Sequence, residues 1–356
     1  MQKPFSKLLG LATGAYATRR SFAGGKGHRG PDSDHFDGTV FRNQNPAASA
    51  GKGFGDFLRW QRTSHRTPWP QWVDNHAHPN ISAALGDQEC RVTFVNHITF
   101  LLQFPGLNVL TDPVYSERVS PVQWAGPRRV RAPGIAFDAL PHIDLVLVSH
   151  NHYDHLDLAT LQRLEQQHQP VFLTGLGNAA FLQENGLRQV HEFDWWQGAS
   201  HRRLHCTFVP AQHWSGRNLG GRNRTLWGGF VLQTAGWNVY FAGDTGYWNH
   251  FTQIRERCGS PDIALLPIGA YEPRWFMQDQ HMNPEEAVRA HIDLHAALSI
   301  ATHFGCFQLT DEGIDEPLRE LELARQQHRI GASDFRALEV GESLLLPRTA
   351  RANRAA

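Results

Sequence analysis

From residue 90 the chain alternates short apolar runs with turn residues. RVTFVN (91–96), ITFLLQF (98–104) and LNVLTD (107–112) predict three strands of a meander. IDLVLVSH (143–150) is apolar almost throughout, the pattern of a strand buried on both faces, and it ends where a histidine cluster begins. Leu158, Leu161 and Leu164 then recur at helical spacing, with Asp157 placed to cap the helix. PVFLTG returns as a strand, and NAAFLQENG is a short helix closed by Gly186.

The second half continues in this style. LHCTFV leads as a strand into the loop PAQHWS. WGGFVLQTAGWNVYFAGD reads as two strands joined around residues 235–238, and PDIALLPIG as another. NPEEAVRAHIDL predicts a helix with Asn283 as its cap, Pro284 in the first turn and acidic residues at its positive end. ALSIATHFG is a last strand running into His303. Mixed strands and helices in two halves predict an α/β layered protein with two sheets in contact. Residues 1–50, rich in Gly, Ser, Asn and Arg, read as an arm that wraps the domain or stays mobile. The expected organisation is this arm, a hydrolase domain over 51–347 and a tail over 348–356.

Composition narrows the function classes. Lys and Arg (34) balance Asp and Glu (34), so nothing electrostatic points to nucleic acid. Four scattered cysteines form neither C-x-x-C nor a disulfide framework, which suits a reducing compartment. No apolar run reaches transmembrane length. A twin arginine, Arg19-Arg20, lacks the long apolar stretch of an export signal. The localisation these features predict is cytoplasmic, with room for a peripheral hold on a membrane.

The candidate chemistry lies in SHNHYDHLD (149–157). With 21 histidines in 356 residues, about one His-x-His arises by chance, and the chain has two, His76/His78 and His150/His152. The longer pattern His-x-His-x-Asp-His is expected by chance on the order of a few thousandths of a time. Predicted strands also end at His150, near His213, at Asp244 and near His303, the usual lining of an α/β active site. His nitrogen and Asp oxygen are zinc ligands. His150 and His152 alternate along a loop and can face one ion, while Asp154 and His155 reach a second. His213, Asp244 and His303 offer the remaining ligands.

These residues resemble the metallo-β-lactamase superfamily: HNHYDH (150–155), His213 in PAQHWS, Asp244 in FAGDTGY and His303 in ATHFG, in order, over roughly residues 90 to 345. The resemblance implies an αββα sandwich of two mixed sheets flanked by helices, with two zinc ions per chain. It further implies His150, His152 and His213 on one zinc, Asp154, His155 and His303 on the other, and Asp244 bridging. Within the superfamily the chain is similar to the N-acyl-phosphatidylethanolamine-hydrolysing phospholipase D group, through SDHFDGTVFRN (33–43), FAGDTGY (241–247), LPIGAYEPRWFM (266–277) and HMNPEEAVRAH (281–291). It departs at the N-terminus, where no membrane anchor is evident.

The resemblance implies hydrolysis of a phosphodiester in a phospholipid by metal-held hydroxide, with Asp154 and His281 as catalytic residues. His281 would lie beside the substrate phosphate; the alternative is a solvated residue ahead of a helix cap. Arg274 either clamps a phosphate or pairs with a carboxylate. Trp275 and Phe276, with Trp214, are candidates for the apolar part of the substrate. Two zinc ions less Asp154, Asp244 and hydroxide leave a net positive centre, suited to an anionic substrate. His97 reads as packing or orienting its neighbours, His76 and His78 as loop residues, and Cys306 as a small buried one. Partners are a phospholipid or other small-molecule substrate, with a peripheral membrane contact and a homodimer both open. The rival functions are a di-zinc hydrolase of a lactone, thioester or other ester, and a non-enzymatic metal-binding scaffold. A di-iron oxidoreductase typically needs a carboxylate where His152 stands.

Overall fold

The computed structural model describes residues 27–49, 52–81, 84–218 and 220–347. Its strands are β1 Glu89–Asn96, β2 Thr99–Phe104, β3 Leu107–Thr111, β4 Leu145–Val148, β5 Val171–Gly175, β6 Val190–Phe193, β7 Gly198–His201, β8 Leu204–Val209, β9 Gly229–Gln233, β10 Asn238–Phe241, β11 Ile263–Pro267, β12 Leu298–Thr302, β13 Phe335–Arg336 and β14 Ser343–Pro347. They form two seven-stranded sheets, ordered β14-β1-β2-β3-β4-β5-β6 and β13-β12-β11-β10-β9-β8-β7.

Both sheets are mixed. The meander β1–β2–β3 is antiparallel, as the turn residues between its strands dictate, and β3 through β6 run parallel. In the second sheet β9 opposes both β8 and β10, so those two point the same way, and β11 and β12 follow β10 in parallel. The C-terminal ends of β8, β10, β11 and β12 therefore share one edge.

Alternation along each strand divides the core into layers. Leu145 and Leu147 of β4 face inward with Phe94, Phe100 and Leu102, meeting Phe208, Phe230, Phe241 and Leu265 of the opposite sheet. Val146 and Val148 point outward, against Leu158, Leu161 and Leu164 of the helix Leu158–Gln167. The second sheet's outer face is covered by the helices His250–Cys258, Pro284–Leu294 and Glu316–His328. β4 is thus buried on both faces, which is why it reads as an unbroken apolar run. Each such Leu removed from water contributes roughly 1.5–3 kcal/mol. The layers are helix, sheet, sheet, helix, as expected.

The predicted caps form. Asp157 accepts from the Thr160 N–H. Asn283 and Glu286 make a reciprocal capping box at the start of Pro284–Leu294. The described part of the N-terminal arm, residues 27–49, wraps the domain, burying Phe36 and Phe41 in the core between the sheets. The twin arginine at 19–20 and the tail at 348–356 lie outside the described residues.

Candidate metal centre

The loop after β4 and the loops after β8, β10 and β12 converge on one point. Gly243, at φ +63°, lets the chain turn into Asp244. A Cβ there would stand 2.7 Å from the Ser149 Cβ, so only glycine fits between the two loops.

On one side three imidazoles meet. His150 Nε2 lies 2.8 Å and His213 Nε2 3.2 Å from His152 Nδ1. His213 donates its Nδ1 hydrogen to the Gln280 carbonyl at 2.9 Å, so its Nε2 presents a lone pair to the cluster. Burial, reinforced by neighbouring histidines, holds His150 and His152 well below the ordinary imidazole range, and burial brings His213 to about 4. All three are neutral near pH 7, the form that binds metal.

On the other side His155 is the hub. Its Nδ1 donates to Asp112 Oδ2 at 2.7 Å, which turns Nε2 toward Asp244 Oδ2 (3.0 Å) and Asp154 Oδ2 (3.4 Å). His303 Nε2 stands 3.3 Å from both Asp154 Oδ2 and Asp244 Oδ1. Asp244 Oδ2 also lies 3.7 Å from His213 Nε2 and 4.0 Å from His150 Nε2, placing it between the two groups. Burial alone would raise both carboxyls, but the charge of His155 and its hydrogen bonds hold Asp154 and Asp244 well below the usual range.

The donor set fits divalent ions. Two ligands about 2.1 Å from one tetrahedral ion stand about 3.4 Å apart, close to the 3.0–3.4 Å separations around His155, Asp154, Asp244 and His303. His155 Nε2 stands between two carboxylates that outweigh burial and raise its pKa well above the ordinary imidazole value, and the negative field that favours a proton there favours a metal ion in its place. All seven candidate ligands, His150, His152, Asp154, His155, His213, Asp244 and His303, are brought together.

His97 joins them. Its Nε2 lies 3.3 Å from Asp154 Oδ2 and its carbonyl accepts from the His303 N–H, in keeping with an orienting residue. Two further supports carry no local signal. Asp112, at the end of β3, gathers the Ser149 N–H (2.7 Å), the Ser149 hydroxyl (2.5 Å) and His155. Arg217 donates to the carbonyls of Asn151 and Leu156 and lies over the Tyr153 ring, gripping the histidine loop from outside.

A cavity of about 490 Å³ opens over the centre. Its floor holds His152, Asp154, Asp244 and His281, and one wall is apolar: Phe57, Trp60, Phe276, Met277 and Leu309. Trp60, on the helix Phe54–Thr63, stacks on Phe276 with ring centroids 5.0 Å apart. His281 Nδ1 is 3.9 Å from Asp244 Oδ2, and burial brings its pKa to about 3; the solvated-residue alternative does not hold.

Two substrate candidates are corrected. Arg274 donates to Glu286 at 2.7 Å and to the His281 carbonyl at 2.9 Å, so its guanidinium is engaged in holding His281 instead of clamping a phosphate. Trp275 lies outside the cavity lining, under the Arg59 guanidinium, because the short helix Arg274–Met277 turns Phe276 and Met277 inward. The cationic side chains on the cavity are Lys52, paired with Asp279, and Arg222, which lies over Trp214 with no carboxylate partner among the described residues.

A family model described as a beta-lactamase superfamily domain matches residues 107–304. A Mycobacterium tuberculosis protein is 42% identical over 71% of this chain and 68% of its own length. The Caenorhabditis elegans protein named N-acyl-phosphatidylethanolamine-hydrolyzing phospholipase D 1 is 36% identical over 70% of this chain and 74% of its own. A solved metallo hydrolase of Ignicoccus hospitalis superposes with a TM-score of 0.55 at 21% identity, over 72% of this chain and 98% of that one, a likeness of fold. No helix among the described residues is long and apolar enough to cross a membrane. With half the chain matched by the family model and the two sheets built as the relatives' fold requires, the chain belongs to the metallo-β-lactamase superfamily of metal-dependent hydrolases.

Proposed function

We propose that the chain is a di-zinc phosphodiesterase of the phospholipase D type, acting on N-acyl-phosphatidylethanolamine-like phospholipids, with the chemistry carried by residues 51–347. The cavity carries this reading: an apolar wall descends to two ligand groups that share one carboxylate oxygen. An acyl-bearing diester has the same division, apolar at one end and anionic at the reacting phosphorus. The similarity to the Caenorhabditis elegans relative supports the same substrate class.

His150, His152 and His213 would hold one ion, Asp154, His155 and His303 the other, with Asp244 between. When bound, the ions supply Lewis acidity and bring a water toward a pKa of about 7. The chain does the rest. Asp154 and Asp244 stay ionised, keeping the site electrostatically suited to cations. His281, neutral at working pH, donates a hydrogen bond to a phosphoryl oxygen, and Arg274 fixes its backbone. Phe276, Trp60 and Met277 take the acyl chain and exclude water.

In this reaction the oxygen of water bonds to phosphorus, the bond from phosphorus to the head-group oxygen breaks, and the head-group alcohol takes the proton. Hydrolysis of a phospholipid extract in oxygen-18 water is expected to place the label in the phosphate-bearing product. Labelled carboxylic acid with an intact diester would overturn the substrate class in favour of an ester or lactone.

A further inference from the structure

We propose that Asn43 is a positioning residue for His213, and that the strap formed by residues 28–49 is a working part of the metal centre. This rests on the reading of His213 as a ligand. The Asn43 side-chain amide matches both backbone groups of His213. Its Nδ2 donates to the His213 carbonyl at 2.9 Å, and its Oδ1 accepts from the His213 N–H at 3.0 Å. No other hydrogen bond reaches the His213 backbone among the described residues. The loop after β8 is therefore held at its ligand by a side chain 170 positions earlier.

Asn43 is itself fixed. Its Oδ1 also accepts from the indole N–H of the fully buried Trp227 at 3.2 Å, and its carbonyl accepts from the Ser49 hydroxyl. Asn45 extends the grip, donating to Gln212 Oε1 at 3.0 Å, and Gln212 donates onward to the Asp279 carbonyl. At its other end the strap is anchored by Phe36 and Phe41 in the core and by His35, which bridges Asp34 and Asp194. The strap lies N-terminal to the residues matched by the family model, yet one of its side chains sets where a ligand imidazole stands.

A hydrogen-bonded support beneath a metal ligand is typically worth about 10–100-fold in metal affinity. Its removal should act on one ion only, because among the described residues no hydrogen bond, ion pair or ring contact joins Asp154, His155 or His303 to the strap. The full chain carrying Asn43→Ala is titrated with zinc against a chromophoric chelator, and its cobalt-loaded spectrum is recorded. Amide exchange of the peptide spanning His213 is followed by mass spectrometry. The expected result is one equivalent weakened about 10–100-fold, the other unchanged, and faster exchange at His213. Asn43→Asp keeps both acceptor bonds but sets an oxygen against the His213 carbonyl, so it should fall between alanine and wild type. If Asn43→Ala does not fold, the aspartate variant must show the same one-site weakening. Two equivalents bound as tightly as in wild type, or both weakened together, would overturn the proposal. Failure of the wild-type chain to take up two equivalents would instead defeat the reading of the ligand set.

Discussion

Asp112→Asn changes one buried oxygen to nitrogen and should cost the protein one metal ion. The Oδ1 side of Asp112 receives the Ser149 N–H, an immovable backbone donor, so the new amide must keep its oxygen there. Its NH₂ then falls on the Oδ2 side, facing the Ser149 hydroxyl and His155 Nδ1 at 2.7 Å. The hydroxyl can rotate to accept. His155 cannot, unless Nδ1 gives up its hydrogen and Nε2 takes one. That tautomer aims an N–H at Asp244 Oδ2, 3.0 Å away, and satisfies itself without a metal. Stabilising the wrong tautomer through one hydrogen bond to a charged partner is worth about 1.5–3 kcal/mol, a factor of roughly 10–150 in affinity. Calorimetric zinc titration, with a thermal melt of the metal-free variant as a folding control, gives the measurement. The melt should shift little, since shape and volume are kept. A variant binding both equivalents within twofold of wild type would refute the tautomer argument.

Asp244→Asn should deplete zinc and activity together, since it removes the carboxylate that, among the described residues, faces both ligand groups, whereas His281→Ala should keep near-normal zinc and lower diester turnover by about 10²–10³-fold, the cost of losing one hydrogen-bond donor to the reacting group; metal analysis beside steady-state kinetics separates the two, and unchanged His281→Ala kinetics would remove it from the reaction. Burial lowers the pKa of His35, but hydrogen bonds and charges from Asp194 and Asp34 outweigh it and leave the value raised above 6.5. Its contribution to stability is thus fully present below pH 6.5 and is lost as pH rises through the raised value. Denaturant midpoints of the wild type should fall across that window, and those of His35→Gln should change less; parallel curves would refute the assignment.

What was legible in the chain follows from how far each determinant reaches. β4 announces itself because four consecutive residues are buried on alternating faces, and Asp157 and Asn283 because a cap bonds within three residues. The seven ligands stand out because strand ends deliver them. The strands β6, β7, β13 and β14 carry no comparable signal: all four are the edge strands of the two sheets, without the burial on both faces that marks β4, and β7 carries only Gly, Ala, Ser and His. The sequence around Arg274 suits a phosphate and a carboxylate equally, and only the fold sets it beside Glu286, twelve residues on. Asn43 and Asp112 act across 170 and 43 positions, and no pattern of spacing encodes such a partner.

Backbone strain around the centre is equally silent in the sequence. His97, Asp112, Ala270 and His303 all adopt left-handed φ, at 45°, 30°, 61° and 62°, although none is glycine. Each such position costs on the order of 1–3 kcal/mol and persists only where its surroundings over-determine it. Here they do. The His97 carbonyl takes the His303 N–H, Asp112 is bound by Ser149 and His155, and the Ala270 N–H donates to Glu312 at 2.6 Å. Replacing His97, Asp112 or His303 by glycine would relieve its φ while deleting the side chain that the φ serves to aim. For His303 and Asp112 the strain and the ligand geometry are therefore one feature. The two packed sheets, burying Phe94, Phe100, Phe208, Phe230 and Phe241 between them, supply the free energy that offsets it.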